Sequence, residues 1–149
     1  MSVVTLMLQW LSVALLLFLT SCAPSITRPT VNQYELEVTD NAAEHRFDIV
    51  LQSRDTRPLC VSVENWPSRG GQLHMGSDLA TLQTTAGVLP ARDENFGYCP
   101  GGCGQHRVEP GGELHGFIAY EAFGDPVQLA ADVGKRLQFS VTPSYCRRK

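Results

Sequence analysis

From residue 34 onward, apolar and polar side chains alternate along this chain. Tyr34, Leu36 and Val38 alternate with Glu35, Glu37 and Thr39, the period-2 pattern of a strand with one buried and one wet face. Phe47, Ile49 and Leu51 form a similar row against Asp48, Val50 and Gln52, and Leu59, Val61 and Val63 another against Cys60, Ser62 and Glu64. Leu114, Gly116, Ile118 and Tyr120 share one face of a fourth segment, and Leu137, Phe139 and Val141 one face of a fifth. Two weaker strands are expected within 73–92, near Leu82 and Val88. Turn-forming clusters separate these segments, at Ser68–Gly71, Cys99–Gly104, Glu109–Gly112 and Phe123–Pro126. No stretch sustains a helical i, i+3, i+4, i+7 pattern over ten residues. Gln128–Val133 offers one or two turns at most, and thirteen glycines and nine prolines interrupt anything longer. The pattern predicts an all-β chain, a single Ig-like antiparallel β-sandwich over 34–149, with a small closed barrel as the alternative.

The first residues follow a different rule. They are predominantly apolar through Leu19, and no charged side chain precedes Arg28, as in a secretory signal peptide. The run ends in Leu19-Thr20-Ser21-Cys22, which resembles the lipobox of bacterial lipoproteins. That resemblance implies cleavage before Cys22 and attachment of acyl chains to it. Residues 1–21 would then be a signal peptide and 22–33, with Pro24 and Pro29, a lipidated tether. A thiolate suits this chemistry because it is the strongest side-chain nucleophile near neutral pH. Several acyl chains at about 0.8 kcal/mol per buried CH₂ make such anchoring effectively permanent. An uncleaved transmembrane helix is the competing reading of about 20 apolar residues, and Ala23-Pro24-Ser25 after the cysteine favours cleavage. Ala23 at that position implies outer-membrane delivery, by analogy with enterobacterial sorting.

Removing residues 1–21 from the 149 leaves 128, enough for one domain with a real core. The chain carries 12 basic and 15 acidic residues, a net charge of −3. That argues against nucleic acid as a partner, whose phosphates demand a basic surface. Arg147-Arg148-Lys149 is a small basic tail. Of five cysteines, Cys60, Cys99, Cys103 and Cys146 remain beside Cys22. An even number in an exported domain points to two disulfides. Three pairings exist, of which Cys60–Cys146 and Cys99–Cys103 are favoured. The second pair brackets Pro100-Gly101-Gly102, where the chain turns sharply, and the first would tie the C-terminus to a core strand.

Candidate chemistry adds little. Cys99, Cys103 and His106, with His74 or His115, lack the second matching ligand pair of a zinc site, so no metal and no cofactor is expected. Cys-Pro-Gly-Gly-Cys is one residue longer than a redox Cys-x-x-Cys, and no helix follows it. There is no Gly-x-Ser-x-Gly, His-Glu-x-x-His or Ser-x-x-Lys. The carboxylates Asp93, Glu94, Glu113 and Glu121 read as surface residues. No catalytic residues are expected, and the chain is not expected to be an enzyme. Recognition is the remaining class. Trp, Tyr and Arg dominate the energetics of binding surfaces, which makes Trp66, Arg69, Phe96 and Tyr98 candidates for a loop-borne contact patch. The competing reading places Trp66 and Phe96 in the core.

The layout resembles small periplasmic lipoproteins that serve as immunity proteins of type VI secretion systems. The matching parts are the lipobox, the short tether, Leu59-Cys60-Val61-Ser62-Val63, Tyr98-Cys99-Pro100, Pro110-Gly111-Gly112-Glu113-Leu114 and the closing strand Leu137–Val141. Cys103 and Cys146 go beyond that pattern. The resemblance implies an envelope-anchored inhibitor that binds a secreted toxin or hydrolase and occludes it. An inhibitor of a host hydrolase such as lysozyme belongs to the same class. The alternative is a structural accessory lipoprotein of an envelope secretion or assembly machine.

Overall fold

A computed structural model describes residues 28–93, 99–100 and 102–147. Among these residues are nine strands: β1 (Tyr34–Asn41), β2 (Arg46–Ser53), β3 (Leu59–Ser62), β4 (Ala80–Thr84), β5 (Gly87–Pro90), β6 (Gln105–Val108), β7 (Glu113–Ala119), β8 (Arg136–Phe139) and β9 (Ser144–Tyr145). Two short helices, α1 (Gly76–Leu79) and α2 (Pro126–Ala131), and a few 3-10 turns also lie among the described residues. The strands form three antiparallel sheets of three, ordered β1-β2-β7, β6-β3-β9 and β5-β4-β8. The chain is therefore all-β and sandwich-like, as the alternation predicts.

β2 shows why. Its side chains alternate strictly between half-buried and buried, and Phe47, Ile49 and Leu51 point inward. They meet Leu59 and Val61 of β3, Leu82 of β4, Ile118 of β7 and Tyr120 in one core. Burying a side chain of this size contributes about 1.5–3 kcal/mol, so the inward row of β2 alone offsets much of the entropy of ordering it. β3 departs from simple alternation, because Cys60 is buried along with its neighbours. The Cys60–Cys146 disulfide covers the face that would otherwise be wet. Val63 does not extend β3: the Ser62 hydroxyl accepts the Glu64 N–H at 3.3 Å and bends Val63–Asn65 into a 3-10 turn.

Both disulfides form the pairing favoured by the cysteine spacing, Cys60–Cys146 and Cys99–Cys103. α2 starts two residues earlier than the apolar spacing suggests. Asp125 accepts the N–H groups of Val127 and Gln128 at 2.9 and 3.1 Å, and Pro126 occupies the first turn, where its missing donor does no harm. Order also begins before β1. Pro29 is buried, and the side chain and carbonyl of Gln33 accept hydrogen bonds from Tyr145 and from the backbone N–H of Arg54.

Candidate functional site

Among the described residues, Lys135 is the one buried cation. Its Nζ lies 2.8 Å from Asp40 Oδ2 and donates to the Asp132 carbonyl at 3.2 Å. It also sits 5.1 Å from the centroid of the Tyr120 ring. The Tyr120 hydroxyl donates to the other oxygen of Asp40. Every donor in the cluster thus converges on one carboxylate, and the ammonium end is closed to solvent. A buried charge left unpaired is strongly unfavourable, so the trio locks the end of β1 to the turn before β8 and to the Tyr120–Ala122 turn after β7. The lysine end is buried, and Asp40 keeps an exposed edge at the end of β1.

A second cluster lies at the β6-β3-β9 sheet. Tyr145 of β9 donates its hydroxyl to Asp55 Oδ2 at 2.7 Å and shares it with Gln33 Oε1 at 3.0 Å. The Asp55 carboxylate also accepts the Arg57 backbone N–H at 2.8 Å. The Arg57 guanidinium stacks 3.4 Å from the centroid of the Tyr145 ring. Beside this ring opens a groove of about 1230 Å³, lined by Arg57, Gln105, Arg107, Tyr145, Arg147 and the Cys60–Cys146 bridge. Register explains the convergence. Cys60 of β3 stands opposite Arg107 of β6 and Ser144 of β9, so Arg107 and the disulfide share one face of the small sheet. Arg57 precedes β3 and Arg147 follows Cys146, at the two ends of the same bridge.

These hydrogen bonds set the response to pH. Burial, then the hydrogen bond and charge of Asp40, push the Tyr120 hydroxyl well above its ordinary value; the hydrogen bond to Asp55, then burial, raise Tyr145. The unfolded chain releases both protons near pH 10 while the folded chain keeps them. Stability is therefore expected to fall as pH rises above about 10. Asp55 is held below the usual carboxylate range, first by Tyr145, and Asp132 first by the Thr85 N–H. Their contribution is full above about pH 4 and is lost as pH falls further. Urea midpoints across this range check both limbs, and Tyr120→Phe should flatten the alkaline one. A midpoint constant to about pH 11 would rule out the alkaline limb.

Of the four predicted contact residues, Trp66 and Arg69 fall within the described residues. Trp66 is a core residue, 2% exposed, and not a surface contact. Its indole packs edge-on to Phe139 at 6.1 Å and lies against β7 at Gly116. A Cβ at Gly116 would come within 2.7 Å of Trp66 Nε1, so the absent side chain in that strand is the slot for the indole. Arg69 is exposed in the Ser68–Gly71 turn. That turn is pressed against β7: the Ala119 N–H donates to the Gly71 carbonyl at 2.9 Å, and a Cβ on Gly71 would overlap Phe117. Phe96, Tyr98 and the lipid-bearing candidate Cys22 lie outside the described residues, as do Arg148 and Lys149. Trp66 and Arg69 are three positions apart, yet one faces inward and the other outward.

The arginine groove is absent from the sequence-based candidates. Part of it was accessible: once Cys60 is paired with Cys146, Arg57 and Arg147 must lie near the bridge. Arg107 carried no such signal, because β6 contains only one apolar residue, Val108. Among the described residues no group of His, Cys, Asp or Glu is placed to hold a metal ion, and no helix is long and apolar enough to cross a membrane. Set against known proteins, the chain matches no family model, no curated protein sequence and no solved structure.

Proposed function

We propose that the chain is an exported lipoprotein of the bacterial envelope, anchored through Cys22, whose β-domain binds a secreted toxin or hydrolase and occludes it. The cysteine inventory carries this reading. Of five cysteines, four close into Cys60–Cys146 and Cys99–Cys103, and the odd one stands directly after Leu19-Thr20-Ser21. A disulfide-stapled domain belongs to an oxidising compartment, and a single leftover cysteine calls for its own chemistry. Lipid attachment gives it one and holds a binder where an incoming toxin acts, raising its effective concentration there.

The test has two arms. Intact-mass analysis of protein isolated from cell membranes should show a chain beginning at Cys22 with added acyl mass, and Cys22→Ser should abolish both the cleavage and the added mass. Affinity capture from envelope extracts should then yield one secreted hydrolase whose activity falls in proportion to added protein. Capture of a multi-subunit envelope assembly, with no enzyme inhibited, would replace the inhibitor reading by an accessory role.

A further inference from the structure

From the arginine groove, we infer that the domain docks on the phosphates of anionic lipid headgroups, in the membrane that carries its anchor. This rests on the lipid-anchor reading above. The groove concentrates Arg57, Arg107 and Arg147 on a chain of net charge −3. The nearby acids offset them only in part. Asp55 is turned inward onto Tyr145 and the Arg57 N–H. Glu109 pairs with Arg107 at 2.6 Å, with both side chains about half exposed, where such a pair is weak and readily exchanged. Among the described residues no carboxylate comes within ion-pair distance of Arg57 or Arg147. Guanidinium groups bind phosphate oxygens through paired N–H donors, and Gln105 adds amide donors to the same lining.

Position selects the occupant. The ring of Tyr145, on which Arg57 stacks, hydrogen-bonds Gln33, where the chain enters the domain. Pro29 is already buried. Pro29 follows Cys22 by seven positions, so the two are at most about 25 Å apart. An anchor that short keeps the groove's end of the domain next to the bilayer. Within about 8–10 Å of the surface the arginines feel the lipid charge, while acids farther away are screened by salt. Each basic residue at an anionic surface strengthens association by about fivefold, so removing all three should weaken docking by roughly a hundredfold.

The test uses the full chain as processed and lipidated in cells, reconstituted in phosphatidylcholine vesicles with or without about a third phosphatidylglycerol. Flotation reports attachment, and hydrogen exchange at 57–60, 105–108 and 144–147 reports docking. Slowing of exchange only with phosphatidylglycerol is expected, by about tenfold or more. It should be reversed by high salt and by Arg57→Gln/Arg107→Gln/Arg147→Gln, and left unchanged by Arg69→Ala. An unaltered urea midpoint for the triple variant separates lost docking from lost folding. Flotation with both vesicle types but identical exchange would overturn docking while leaving the anchor intact. Flotation only with anionic vesicles, dependent on the arginines, would support the groove and refute the anchor. Flotation with neither would refute both. Protection by polyglutamate but not by anionic vesicles would overturn lipid docking and mark the groove as a site for an acidic protein.

Discussion

Replacing Cys60 and Cys146 together with serine is expected to lower the unfolding free energy by about 4–5 kcal/mol, whereas Cys99→Ser with Cys103→Ser should remove only about 2 kcal/mol. The difference comes from loop length. The first bridge closes a separation of 86 residues and the second only 4, and a crosslink restricts the unfolded chain more when the loop it closes is longer. The larger figure is comparable with the whole stability of an ordinary domain, about 5–15 kcal/mol. Local structure adds to it. β9 is two residues long and meets β3 only at Leu59↔Tyr145 and Cys60↔Ser144. Without the bridge nothing of comparable strength holds that strand, and Tyr145 should release Asp55, Gln33 and the stacked Arg57. Urea unfolding of the two double variants, followed by circular dichroism, checks the ranking. Similar small losses from both would mean that the long bridge does not restrain the chain.

The second large effect is at Trp66. Trp66→Ala should destabilise the domain by about 3–5 kcal/mol, the range for emptying a buried aromatic site. The indole is enclosed between Phe139 and the slot at Gly116, and neighbouring strands cannot collapse into a space of that size without breaking ladder hydrogen bonds. Arg69→Ala, three residues away in an exposed turn, should stay within about 0.5 kcal/mol. The pair separates stability from recognition. If Arg69 contacts the partner, its loss lowers affinity at constant urea midpoint, while Trp66→Ala lowers affinity only as far as it unfolds the domain. A Trp66→Ala variant of unchanged midpoint would return Trp66 to the surface.

The strands were legible in the sequence because alternation is enforced by geometry. In β1, β2 and β7 a residue and its second neighbour share a face, so any strand with one wet side must display the pattern. β4 and β5 showed it weakly around Leu82 and Val88, being only five and four residues long. The disulfide pairing followed from turn chemistry and from cysteine count. β6 and β9 left no mark. Gln105, His106 and Arg107 are exposed or half-buried, so apolar burial does not choose them. Pairing with β3 alone places both strands. The helix boundary moved because the Asp125 cap, a local hydrogen bond, outweighed the apolar spacing.

What tertiary structure decided are the meetings between residues far apart along the chain. Arg57, Arg107 and Arg147 are individually unremarkable surface cations, and they form a groove only because β6 and β9 flank β3 and a disulfide fixes one edge. Lys135 reads as a solvated lysine until the turn before β8 folds it against Asp40 and beneath Tyr120. The direction of Trp66 was equally undetermined, since one aromatic beside a proline and a Gly-rich turn fits a surface loop as well as a core. Gly116 on the partner strand decided it by leaving room for the ring. Periodicity and spacing act within a few residues and are written in order along the chain. Charge clusters and packing slots depend on which strands become neighbours, and that is settled only when the whole core closes.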